Sequence, residues 1–170
     1  MIRIGTLQLG GVPRIAVPLS DLEVRGDAAA AKPYADIFEL RVDHFENRDP
    51  MSVREVCREA AAHGLPLLGT VRSAEEGGRP GLTDSQRLQL FETLVPAVDA
   101  VDIELGAPIR TDVTALAREH GKQLVMSYHN FDRTPADDNL VAMIEAAKEQ
   151  GADIVKLAVT AQSMDDTDRL

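Results

Sequence analysis

The chain has 170 residues, 44% of them apolar and 27% charged, enough for one domain with a packed core. A formal net charge of −10 excludes the basic footprint that nucleic acid requires. The single cysteine, Cys57, excludes an internal disulfide framework and a cysteine-based zinc site.

No apolar run reaches the length of a membrane span, and "MIRIGTLQLGGVPRIAV" lacks the layout of a signal peptide. The expectation is a cytoplasmic protein with neither nucleic acid nor membrane as partner.

In chain order, six apolar, β-rich stretches recur: "PRIAVPL", "ADIFELRVD", "LPLLGTVRS", "AVDIELG", "KQLVMSYH" and "ADIVKLAVT". Helical patterns fall between them. Ser52 with Glu55 reads as a capping box that opens the helix of "SVREVCREAAAHG", where Cys57 is a packed thiol and Gly64 follows the end. Thr83 with Gln86 repeats the box before "RLQLFETLV". Thr111 opens "DVTALAREH", which Gly121 closes. Thr134 with Pro135 opens the next helix, and Gly151 ends it. Ser163 and an acidic first turn begin a last one in "SMDDTDRL".

This alternation, unbroken by linkers, predicts parallel β/α units forming a single domain over residues 1–170. "PLSDLEVRGD", after the first strand, has no G-x-G-x-x-G, which weakens a doubly wound dinucleotide-binding sheet against a (β/α)8 barrel.

Residues two apart on a strand share a face. Phe38, Leu40 and Val42 therefore oppose Glu39, Arg41 and Asp43. Leu68, Thr70 and Arg72 align, and Val101, Ile103 and Leu105 alternate with Asp102 and Glu104. Ser127 and His129 lie opposite Met126 and Tyr128. Ile154, Lys156 and Ala158 lie opposite Val155, Leu157 and Val159.

Each polar residue alone has an ordinary structural explanation: a snorkelling lysine, an ion pair, a satisfied histidine. Five successive strands polar towards their C-terminal ends are better explained by the mouth of a barrel, where inward faces converge on an active site.

The residue types narrow the chemistry. There is no H-E-x-x-H, and the carboxylates are interleaved with arginines that repel a cation, so no metal is expected. There is no G-x-S-x-G elbow either. A lysine among apolar neighbours and other cations is expected to favour its neutral form and can attack a carbonyl to give an imine. His129 is suited to removing the proton that the iminium acidifies, and Arg41 and Arg72 to holding a carboxylate. Aldol or dehydration chemistry without a cofactor follows, with the substrate left open.

The segments "FELRVDHF", "LLGTVRSAEEGGRP", "VDIEL", "VMSYHNFDRTP" and "GADIVKLAVTAQS" resemble, in order and spacing, the type I 3-dehydroquinate dehydratases of the shikimate pathway. The resemblance runs from about Pro13 to Gln162. It implies that Lys156 forms an imine with the C3 ketone of 3-dehydroquinate. It further implies that His129 removes a C2 proton and helps water leave from C1, and that Glu76, not its neighbour Glu75, orients this histidine. Glu39, Arg41 and Arg72 match substrate-contacting positions. The implied product is 3-dehydroshikimate, formed without metal or nucleotide.

Two departures stand out. Pro18 occupies a position where the better-known members carry a substrate-contacting serine, with Ser20 nearby. The family also continues through two further β/α units, which bring a carboxylate-binding arginine and a lid loop.

Six strands are about two fewer than a barrel of roughly 250 residues requires, so a truncated sequence with little activity by itself is the expectation. The alternatives are a non-catalytic scaffold, with a homodimer closing the open edges, and a class I aldolase-like enzyme acting on another substrate.

Overall fold

The computed structural model describes residues 2–170. A short antiparallel hairpin comes first, β1 (Arg3–Ile4) with β2 (Leu7–Gln8). Six parallel strands follow: β3 (Ala16–Leu19), β4 (Ile37–Arg41), β5 (Leu67–Thr70), β6 (Ala100–Glu104), β7 (Gln123–Asn130) and β8 (Ile154–Val159). They pair strictly in chain order, β3-β4-β5-β6-β7-β8. A doubly wound sheet reverses its order at a switch point, whereas unbroken sequential pairing forms the wall of a barrel. The sheet is that of a (β/α) barrel, curled and six strands wide.

The connections carry α1 (Asp21–Gly26), α2 (Ala28–Ala31), α3 (Pro50–Ala61), α4 (Asp84–Leu94), α5 (Arg110–Glu119) and α6 (Asp137–Glu149), and α7 (Met164–Arg169) follows β8. No helix among the described residues is long and apolar enough to cross a membrane.

The period-two pattern sorts the strand residues onto two faces. Phe38, Leu40, Val101, Ile103, Leu124 and Met126 pack outward against helix residues such as Val56, Cys57, Phe91, Leu94 and Val113 in the main core. Burial pushes the Cys57 thiol up to about 12, so it stays a protonated core residue, as read from the sequence.

On the inner face, Ile37, Leu68, Ala100 and Val125 form a second apolar cluster at the N-terminal strand ends. Ile4 belongs to it, and Leu7 and Leu9 pack against it, so the hairpin plugs the floor of the curl. Two residues further along the strands the inner face turns polar: Glu39, Thr70, Asp102, Ser127 and Lys156. Beyond these come Arg41, Arg72, Glu104 and His129.

Several caps differ from the sequence reading. The box of Thr83 and Gln86 is present, as is a second one of Ser20 and Glu23. Helix α3 starts earlier than Ser52. Asp49 is its N-cap, accepting from the Met51 and Ser52 amides, because Pro50 is pre-set for the first helical position. Helix α5 begins at Arg110 without a side-chain cap rather than at Thr111. Helix α6 begins at Asp137, two residues past Pro135. The Thr134 hydroxyl is engaged elsewhere, donating to the Thr160 carbonyl at 3.0 Å.

Candidate active site at the strand ends

Lys156 and Ser127 are register partners on β8 and β7, and His129 lies two residues beyond Ser127 on the same face. Lys156 Nζ donates to Asp102 Oδ2 at 3.3 Å. That oxygen also holds Arg72 Nη2 at 2.8 Å, and Asp102 Oδ1 accepts from Ser127 Oγ at 2.6 Å. Arg72 Nη1 donates to Ser127 Oγ at 2.6 Å and to Glu104 Oε1 at 3.2 Å.

The lysine thus meets a buried carboxylate, where the sequence pointed to apolar and cationic neighbours. The cation Arg72 is present but is bonded to that same carboxylate. Lys156 keeps 37% of its side chain exposed, while Arg72 keeps 3%. Lys156 is accessible on the edge strand, and Arg72 is buried.

Burial would raise the Asp102 carboxyl, but the charges of Arg72 and Lys156 and the bonds from Arg72 and Ser127 outweigh it and hold the group below its ordinary value of 3.8. Asp43 follows the same logic. Burial raises it, and the Arg41 hydrogen bonds and charge, the Arg72 amide and His44 together bring it below 3.8. Both groups bind fewer protons folded than unfolded in this range, so stability rises with pH there. Their contribution is complete above about pH 4 to 5 and is lost as acid carries the solution down through the folded values. Urea unfolding should show stability falling below about pH 4, with a shallower acid limb in Asp43→Asn.

His129 is held from one side. Glu76 Oε2 lies 2.9 Å from Nδ1 and accepts the His129 backbone N–H, also at 2.9 Å. With Glu76 as acceptor Nδ1 carries a hydrogen, and in the neutral ring Nε2 then presents a lone pair. Nε2 has no hydrogen-bond partner among the described residues. The Phe131 ring stacks on the imidazole, with centroids 6.4 Å apart and planes at 22°.

Glu76 comes from the 3₁₀ turn Ala74–Glu76, which folds back because Glu76 N and Gly78 N both donate to the Ser73 carbonyl. A Cβ on Gly78 would lie 2.2 Å from the Arg72 carbonyl oxygen, a backbone atom that cannot swing away. Gly78→Ala should therefore cost about 3 kcal/mol, measured by urea unfolding.

The remaining candidates form two further pairs. Glu39 accepts from Thr70 Oγ1 at 2.8 Å. Arg41 makes a two-point contact with Asp43, at 3.0 and 2.8 Å, and retains 23% side-chain exposure. Pro18 lies on β3 beside Arg41, His44 and Ser20 in one surface cleft. Ser20 does not replace the expected serine contact: its hydroxyl donates to Glu23 Oε2 at 2.7 Å and caps α1.

The sequence reading placed Asp102, Glu104 and Ser127 on the polar face without seeing that they join Arg72 to Lys156. It missed Arg87, which lies on a helix of mixed polarity, Asp84–Leu94. Nothing in that helix's own sequence sets Arg87 apart.

The sequence model of the family described as Type I 3-dehydroquinase matches residues 15–170. A 3-dehydroquinate dehydratase of Geobacillus thermodenitrificans is 38% identical over 179 residues, covering 97% of this chain and 69% of its own length. One of Methanosarcina barkeri is 37% identical, covering 98% and 71%.

The crystal structure of the 3-dehydroquinate dehydratase from Aquifex aeolicus superposes with a TM-score of 0.85 at 38% identity, over 92% of this chain and 72% of that one. The type I enzyme from Clostridium difficile, with covalently modified comenic acid, superposes at 0.91 with 31% identity, over 99% and 71%.

Proposed function

The chain belongs to the type I 3-dehydroquinase family, and we propose that it removes water from 3-dehydroquinate to give 3-dehydroshikimate through an imine on Lys156. The dehydration itself, a carbon–oxygen lyase reaction of the shikimate pathway, is the activity named for its relatives. The observation that carries the finer reading is the pair of differently held bases on adjacent strands. Lys156 lies 3.3 Å from a buried carboxylate, and His129 is fixed through Nδ1 so that Nε2 is left to act.

The steps balance without an oxidant or reductant. Neutral Lys156 Nζ attacks the C3 carbonyl, and loss of that oxygen as water gives the iminium. The iminium draws electrons from the adjacent carbon, and His129 Nε2 takes the C2 proton to form an enamine. The enamine expels the C1 hydroxyl, which leaves as water with the proton from His129. Hydrolysis of the iminium then restores the lysine and releases the product. Glu76 holds the imidazole in the tautomer that accepts at Nε2.

Glu39, Arg41 and Arg72 contact the substrate, with the exposed part of Arg41 best placed for its carboxylate. Arg72, buried against Asp102 and Glu104, supplies mainly charge and alignment.

In a version extended to the length of its relatives, borohydride reduction in the presence of 3-dehydroquinate should convert the imine to a stable amine, and peptide mass mapping should place the added mass on Lys156. An adduct on another residue would overturn the assignment.

A further inference from the structure

Arg87 and Glu104 have no part in the chemistry above, yet both are 98% buried and oppositely charged. Hiding two charges is unfavourable unless nearly every donor and lone pair is used, and here they are.

Arg87, near the start of α4, donates through Nε and Nη2 to the Val71 carbonyl at 3.1 and 2.9 Å, through Nη2 to Glu104 Oε2 at 2.5 Å, and through Nη1 to Asp84 at 3.1 Å. Glu104 Oε1 accepts from Arg72 Nη1 at 3.2 Å and from the Ser73 amide at 2.8 Å.

One oxygen thus touches both arms of the site. Through Arg72 it reaches Asp102 and Lys156. Through Ser73 it reaches the turn whose carbonyl receives the Glu76 and Gly78 amides, and so the carboxylate that holds His129. Arg87 grips this joint twice, at the carboxylate and at the carbonyl just before Arg72.

We infer that Arg87 and Glu104 are positioning residues that hold the lysine arm and the histidine arm in mutual alignment, acting through Arg72 and Ser73. The inference rests on the reading of Lys156 and His129 given above. An ion pair that only stabilised the fold would need no contact with Arg72 or Ser73. A misplacement of about 1 Å in a reacting group costs roughly a hundredfold in rate.

The test uses Arg87→Met, Arg87→Lys and the double variant Arg87→Met/Glu104→Gln, which leaves no unpaired buried charge and so retains the fold. Exhaustive borohydride trapping counts competent sites. The trapping rate reports the lysine arm, and turnover per trapped site reports the histidine arm.

The double variant should trap the wild-type number of sites with both rates reduced about ten- to a hundredfold. Arg87→Lys, which keeps the charge without the fork, should recover part of each. Wild-type rates per site with only a lower unfolding midpoint would make the pair purely structural and overturn the inference, as would the loss of only one rate. A wild-type protein that forms no adduct would instead remove the Lys156 reading, and the inference with it.

Discussion

Lys156→Ala should abolish the borohydride-trapped adduct and lower turnover by about 10⁴-fold or more, as removal of a covalent nucleophile does elsewhere. The variant should nevertheless fold. Asp102 keeps Arg72 at 2.8 Å and Ser127 at 2.6 Å, so no buried charge is orphaned. Lys156 is more than a third exposed, and its pairing is screened, so the change in unfolding free energy should stay within about 1 kcal/mol.

Lys156 shares its carboxylate partner with a second cation. Asp102 is bonded more closely to Arg72 than to Lys156, 2.8 against 3.3 Å, and a guanidinium stays charged throughout. Lys156→Arg sharpens the test: it keeps the positive charge beside Asp102 but offers no amine, so it should be as inactive as the alanine variant. Undiminished turnover in either would end the imine proposal, and an adduct that persisted would show that another residue carries it.

The polar mouth follows from alternation alone, because a period of two assigns Glu39, Thr70, Asp102, Ser127 and Lys156 to one face whatever the sheet's curvature. What alternation leaves undetermined is which of these touch. Contact between Lys156 and Asp102, two strands apart, depends on stagger and curl that no single strand encodes. For that reason the lysine's partner came out as a carboxylate against expectation.

The hairpin at the floor escaped notice for a different reason. Strands of two residues, Arg3–Ile4 and Leu7–Gln8, are too short to show any period, although Ile4, Leu7 and Leu9 are its buried or packed face. Helix starts were displaced where a stronger local group competed, as Asp49 with Pro50 outranked Ser52. Arg87 gives no local signal, because its partner Glu104 comes from a strand 17 residues away.

His129→Ala should separate the two halves of the reaction. Turnover should fall by about 10³-fold, in the range for loss of a general base, while the imine on Lys156 should still form and accumulate. The expectation rests on what each group holds. Lys156 touches Asp102 and not His129, so its capture of the ketone survives the substitution. Proton removal loses its base, and Glu76 keeps only its bond to the backbone amide of residue 129.

Borohydride should therefore trap at least as much adduct from His129→Ala as from wild type, and peptide mapping should place it on Lys156. Glu76→Gln should lie between the two. One oxygen, Oε2, serves both His129 bonds, so an amide that turns its NH₂ to Nδ1 gives up the backbone bond and favours the tautomer with its hydrogen on Nε2. A neutral imidazole with that hydrogen cannot accept the C2 proton at Nε2. The loss should accordingly appear in turnover per trapped site and not in the number of sites. A His129→Ala protein that traps no imine would place the histidine in imine formation itself, and the division of labour between the two strands would have to be redrawn.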